Sequence, residues 1–296
     1  MNILEVEDLH KSFKKGFIPK TYNVLKGVSF TIPKGTITGF LGGNGAGKTT
    51  TMKCVLGLAL PDKGEIRFFG DSELSTEVKA KVGFLPERPY FYDYLTGEEF
   101  LKFYGEISGK FKSQFDLKAR IDYLIKKVDL QHARDRSLKG YSKGMLQKIG
   151  LAQALIHYPE FVILDEPMAG LDPDGRHYLS ELISETAKQG TSIFFSSHLL
   201  NDTEKLCENL VILRDGVVQF SGGTQTFLGQ MGRTSHIKYQ GDSMIESVEV
   251  ENGEPLQMKI DELRKASRTI ISVSPNITSL EDAFVGFAMD KKRENL

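Results

Sequence analysis

A chain of 296 residues is long enough for one large domain with a small one beside it. Its 40% apolar and 26% charged residues are those of a globular protein in water, and 38 basic against 39 acidic side chains leave no surplus charge for broad binding to nucleic acid or anionic lipid. No apolar run approaches the ~20 residues of a membrane span, the first residues lack the pattern of a secretory signal, and Cys54 and Cys207 have no partners at metal-binding spacing, so two buried free thiols in a reducing, cytosolic setting are expected.

Short apolar runs at Ile3–Val6, Val28–Ile32 and Thr36–Leu41, broken by Pro33 and Gly35, read as strands. The last leads into Gly42-Gly43-Asn44-Gly45-Ala46-Gly47-Lys48-Thr49-Thr50, which fits the phosphate-loop pattern G-x-x-x-x-G-K-[ST]. Glycines let the backbone fold around an anion with its N–H groups turned inward. Lys48 brings a positive charge to the β- and γ-phosphates of a nucleoside triphosphate, and the Thr49 hydroxyl suits Mg2+. A helix over Thr49–Leu58 would add the positive end of its dipole.

Further strands are expected at Gly64–Gly70 and Val82–Pro86. From about Glu98 to Leu155 the pattern turns helical, with Leu117, Ile121, Leu124, Ile125 and Val128 on one face. Phe161–Leu164, Ser192–Ser196 and Asn209–Leu213 are short apolar runs of the kind buried on both faces of a parallel sheet. The basic pairs Lys14-Lys15 and Lys126-Lys127 and the triple Lys291-Lys292-Arg293 read as solvated surface. After about Thr224 the chain reads as short strands and polar turns, ending in a capped helix that starts at Thr278-Ser279-Leu280-Glu281 and runs through Phe284 and Phe287. The fold expected is α/β: a P-loop NTPase core of mixed sheet flanked by helices over 1–223, a helical subdomain inserted at about 90–157, and a small α+β accessory domain over 224–296.

The strand Phe161–Leu164 ends in Asp165-Glu166. Beside a phosphate loop, the first acid is placed to hold Mg2+, usually through water, and the second to orient or deprotonate the attacking water. Asp165 is therefore the candidate metal residue and Glu166 the candidate general base.

Three further segments complete an ordered set: Tyr141-Ser142-Lys143-Gly144-Met145 before the acids, Ala169-Gly170-Leu171-Asp172 after them, and Ser196-Ser197-His198 at the end of the next strand. In this order the chain resembles the ATP-binding cassette of ABC transporters over roughly residues 1–222, and within it the export-type (ABC-2-like) cassettes that serve small polytopic permeases. The resemblance implies a head-to-tail dimer enclosing two ATP molecules, two copies of this chain or one beside a different cassette. It implies that residues 42–50 hold each nucleotide, with Ser142 and the Gly144 amide reaching the γ-phosphate of the nucleotide held by the other subunit. His198 would contact the γ-phosphate and steady the attacking water, and Asp172 would act across the interface. Phe13 stands where the family stacks an aromatic on adenine; an ordinary core aromatic is the other reading. Glu87 stands where the family has a glutamine, and is assigned to the Mg2+ shell. Lys143 replaces a glycine of the usual signature. The aromatic run Pro89–Tyr94 reads either as packing between lobes or as the border of a groove for a cytoplasmic helix of the permease.

The implied protein is an ATP hydrolase lying on the cytoplasmic face of the cell membrane through its permease, with no nucleic-acid partner. A soluble ABC ATPase acting on nucleic acid or the ribosome is the competing reading. Such proteins commonly join two cassettes or carry coiled-coil or zinc-bearing inserts, and this sequence has one cassette, no heptad run and no Cys cluster. A small-molecule kinase would share only the phosphate loop.

Overall fold

The computed structural model describes residues 1–15, 20–70, 74–231, 234–241, 244–275 and 279–284. Strands β1 (Asn2–Lys15) and β2 (Lys20–Pro33) run antiparallel over 14 residues each, well beyond the apolar runs that mark them in the sequence. The pairing shifts register between Val6 and Leu9 and between Lys11 and Ser12, and Asp8 takes a left-handed φ of 46° in the first shift. A bulge changes which face the following side chains meet, so the strands continue where their alternation stops.

Strand β3 (Ile37–Leu41), buried at every position, leads through the glycine-rich loop into helix α1 (Lys48–Val55). The helix is shorter than expected because the amides of Leu58 and Ala59 both turn back onto the Lys53 carbonyl. β4 (Lys63–Phe68) pairs antiparallel with β1, giving a sheet ordered β2-β1-β4. After α2 (Thr76–Lys79) and β5 (Val82–Leu85) come α3 (Gly97–Ile107), α4 (Gln114–Lys127) and α5 (Lys143–Leu155). Thr96 and Glu99 form a capping box on α3, Ser113 caps α4, and Leu117, Ile121, Leu124, Ile125 and Val128 are all buried, as their spacing requires.

The chain then alternates β6 (Phe161–Leu164), α6 (Pro173–Lys188), β7 (Ser192–Ser197), α7 (Leu200–Leu206), β8 (Asn209–Arg214) and β9 (Val217–Gly223). The resulting six-stranded sheet is ordered β5-β6-β7-β3-β8-β9, with parallel pairing from β5 to β8. β9 returns from β8 through Asp215-Gly216, whose φ angles of 51° and 78° suit a tight two-residue hairpin. The two sheets are joined by Phe30, Phe40 and Phe194, with ring centroids 5.1 to 5.6 Å apart, and by Phe68 against Phe161 at 6.2 Å. Full burial of each ring is worth roughly 1.5–3 kcal/mol. This core fixes β6, β7 and β3 side by side, so their C-terminal ends open on one edge, where open α/β sheets bind ligands.

The chain divides into two compact units, Met1–Ser221 and Gly222–Leu296. The second contains α8 (Thr224–Met231), β10 (Thr234–Gln240), β11 (Ile245–Glu251), α9 (Glu254–Lys265) and β12 (Ile270–Pro275), with an antiparallel sheet ordered β11-β10-β12 and α9 packed on its edge strands. The sequence reading had strands and turns here and no helix at α9. Ser279 Oγ accepts the Asp282 N–H at 3.1 Å, opening a helix over 280–284; Thr278, Phe287 and the triple at 291–293 lie outside the described residues. Both cysteines are buried thiols outside any disulfide, and burial pushes the Cys207 thiol well above its ordinary range. Among the described residues no helix is long and apolar enough to cross a membrane.

Candidate active site

The loop between β3 and α1 is shaped by what its glycines exclude. Gly42 backs onto the Leu213 carbonyl so closely that a Cβ would overlap it. Gly47 has φ 111°, and a Cβ there would also press on Leu25. A Cβ built on Gly43 or Gly45 would meet nothing within 4 Å, because these residues border open space. α1 has no side-chain cap and no acidic residue in its first turn, so its first N–H groups and positive end are not consumed by the protein's own side chains.

A cavity of about 540 Å³ opens there, lined by Gly43, Asn44, Gly45, Gly47, Lys48, Thr49 and Thr50 of the loop and α1. Glu87, Glu166 and His198 line its other walls, with Val24 and Ala169. Lys48 is nearly buried; its ammonium donates to the Gly42 carbonyl at 2.7 Å and lies 3.4 Å from Glu166 Oε1. The other Glu166 oxygen is 2.7 Å from His198 Nδ1. A carboxylate only accepts, so this ring nitrogen carries the proton. Glu166 has a left-handed φ of 49°, an uncommon backbone for a residue with a side chain. Glu87 is half exposed, 3.7 Å from the neighbouring Arg88 guanidinium.

Asp165 does not line the cavity. It is 3% exposed, one residue behind Glu166, with its amide bonded to the Leu85 carbonyl at 2.8 Å. Gly42 contributes its carbonyl to Lys48, and the buried Ala46 bonds through its amide to Gly43 and through its carbonyl to Gly216. Ser142, Gly144 and Asp172 are also outside the cavity wall. Ser142 caps α5, accepting the Met145 N–H at 3.3 Å, and Asp172 caps α6, accepting the Gly175 N–H at 2.9 Å. Phe13 lies on β1 opposite Tyr22, 45% exposed with Lys11 above its ring at 5.4 Å, which removes the buried-core reading. It is not part of the cavity wall, but Val24, two residues beyond its cross-strand partner, is. The aromatic run divides: Phe91 packs on Phe100 at 5.4 Å, while Tyr90 and Tyr94 are exposed.

The residues fit a magnesium nucleotide. The loop offers amides and one cation to phosphates, and Thr49, Glu87 and Asp165 are hard oxygen donors. No three His, Cys, Asp or Glu side chains among the described residues gather into a metal cage. Mg2+ usually takes one or two carboxylates and completes its shell with water and substrate phosphate. One contributor escaped the sequence reading: Ser196 on β7, fully buried, donates to Asp165 Oδ1 at 2.6 Å and accepts the Glu166 N–H at 2.8 Å.

A family model described as ABC transporter matches residues 25–169. An ABC transporter ATP-binding protein of Nostoc sp. (strain PCC 7120) is 41% identical over 243 residues, spanning 81% of this chain and 71% of that protein. The bacitracin transport ATP-binding protein BcrA of Bacillus licheniformis is 40% identical over 205 residues, spanning 67% of this chain and 65% of BcrA. A solved ATP-binding subunit of an ABC transporter superposes with a TM-score of 0.67 at 32% identity, covering 78% of this chain and 93% of its own. With a phosphate loop, a lysine and an acid–imidazole pair gathered on one edge of the sheet and with these likenesses, the chain belongs to the ABC transporter family as an ATP-binding, ATP-hydrolysing subunit.

Proposed function

We propose that two cassettes pair head to tail around two ATP molecules and that closing and opening of this pair drives a separate polytopic membrane protein, in the direction of export. The observation that carries the reading is a division within one chain. The cavity holds the phosphate loop, Lys48, Glu166 and His198, while Ser142, Gly144 and Asp172 stand outside its wall. A helix N-terminus is a ready anion receptor, so the start of α5 is suited to the nucleotide of a second cassette.

In each site residues 42–50 and Lys48 hold the phosphates, with Phe13 against the adenine face. Thr49, Asp165 and Glu87 would hold Mg2+, which would supply positive charge to neutralise the phosphates. Glu166 accepts a proton from water as the water oxygen attacks the γ-phosphorus and the bond to the bridging oxygen of ADP breaks. His198 steadies that water and the γ-phosphate. Ser142 and the Gly144 amide of the opposite cassette release their hold when phosphate departs, and Asp172 relays the change across the interface. Residues 224–296 are read as a small accessory domain. The chain sits on the cytoplasmic face of the membrane through its permease, a reading supported by the likeness to BcrA, named for bacitracin transport.

The test is to express tagged Glu166→Gln chain in its native cell, extract membranes gently and identify what co-purifies. A polytopic membrane protein in stoichiometric amount is expected. Recovery only from the soluble fraction with ribosomes or nucleic acid would overturn the transport reading.

A further inference from the structure

Asp165 and Glu166 follow β6, and the parallel register that pairs Leu164 with Phe195 brings the next residue of β7, Ser196, beside Asp165. Ser196 is fully buried. Its hydroxyl has one proton, and Asp165 as a carboxylate can only accept, so that proton is committed to Asp165 Oδ1 at 2.6 Å. Its lone pair takes the Glu166 amide proton at 2.8 Å. One hydroxyl therefore spans both acids, fixing an oxygen of one and the backbone of the other.

That second bond falls where the backbone needs it. Glu166 has φ 49°, a region that residues with a side chain hold only when the surroundings impose it. The Ser196 oxygen anchors the amide in this conformation, from which the Glu166 side chain reaches Lys48 and His198. The first bond leaves Asp165 Oδ2 as the oxygen not engaged by Ser196. On the Asp165 side, the amide bond to Leu85 ties β6 to β5. Two hydrogen bonds from one fully buried hydroxyl are not what filling a strand requires, since alanine would pack as well.

We propose that Ser196 is a positioning residue that couples the metal-holding carboxylate to the general base, so that both are aimed by one hydroxyl. The inference rests on the roles given above to Asp165 and Glu166. Partners that orient metal-holding groups typically matter by 10–100-fold in metal affinity or activity when removed.

The experiment measures affinity for a fluorescent ATP analogue in chelator and in Mg2+, for the wild type, S196A, D165N and S192A. Ser192 is the control: also fully buried and on β7, it accepts the Gly35 N–H at 2.7 Å and touches neither acid. Mg2+ should tighten binding to the wild type and to S192A. In S196A this gain, taken for each variant against its own binding in chelator, should fall by roughly tenfold or more, and in D165N it should vanish, while S192A should match the wild type in both media. An S196A gain within about twofold of the wild type, or an equal loss in S192A, would overturn the inference. A wild type whose affinity ignores Mg2+ would instead overturn the metal assignment beneath it.

Discussion

The Lys48 ammonium divides its attention between the Gly42 carbonyl and Glu166 Oε1, 3.4 Å away. Phosphates arriving at Lys48 must therefore displace, or share it with, the carboxylate proposed as the base. At an effective dielectric of ~20 the attraction at this separation is about 5 kcal/mol before desolvation. Breaking a buried pair by removing one partner costs ~3–5 kcal/mol, and since Lys48 keeps its Gly42 bond and faces a cavity open to water, about 2 kcal/mol is the reasonable loss for Glu166→Gln. In a unit of this size that lowers Tm by ~4–8 °C. The same substitution removes a negative charge facing the incoming phosphates, so ATP should bind tighter and return more stability than it gives the wild type. Turnover should fall by roughly 10²–10⁴ with the base gone. Thermal unfolding with and without magnesium ATP, beside phosphate release, reads all three. A variant as stable as the wild type, gaining no more from ATP, would refute the competition at Lys48. Turnover within about tenfold of the wild type would refute the base.

Ser142→Arg removes the α5 cap, worth about 1 kcal/mol, and fills the space before Gly144, so it should spare ATP binding to the single chain while stopping turnover; normal turnover would end the two-chain site. Asp62 pins Ser12 and Lys11, next to Phe13, and the Ser12 hydroxyl, Lys11 and the Ser12 amide lower its carboxyl to about 2. The folded value lies below the unfolded ~3.9, so its contribution is complete above that value and lost as pH falls through about 2. The Tm difference between wild type and Asp62→Asn should accordingly be largest near neutral pH and shrink below pH ~4, and a difference constant across that range would contradict it.

The phosphate loop was legible because its residue types follow from backbone requirements: Gly42 and Gly47 sit where a Cβ would strike Leu213 or Leu25. Asp165-Glu166 was legible because a strand buried on both faces has to be apolar until it ends. The lengths of β1 and β2 were not, since register shifts around Asp8 and Ser12 erase the alternation that identifies a strand. Helix α9 hid behind charge: Leu256, Ile260 and Leu263 follow helical spacing, but only Leu263 is buried among many exposed polar residues. Ser196 was visible as part of Ser196-Ser197-His198, yet its partner Asp165 is 31 residues away, and only the parallel register of β6 and β7 joins them.

Lys143 shows how a departure from the usual signature can be accommodated. A cation at a helix N-terminus opposes the dipole by ~0.3–1 kcal/mol and stands where α5 is proposed to receive a phosphate. Its side chain carries the ammonium onto Gly170, where a Cβ would overlap Nζ. Gly170 has φ 70°, a backbone conformation that favours glycine there. Around Gly144, apart from its own neighbours, the nearest atoms to a built Cβ are Leu171 Cδ2 at 3.9 Å and Ser142 Oγ at 4.0 Å. The lysine thus lies against the segment that ends in Asp172 and leaves the helix start open. It adds positive charge on the side from which the second nucleotide would approach, beside the turn that leads into α6.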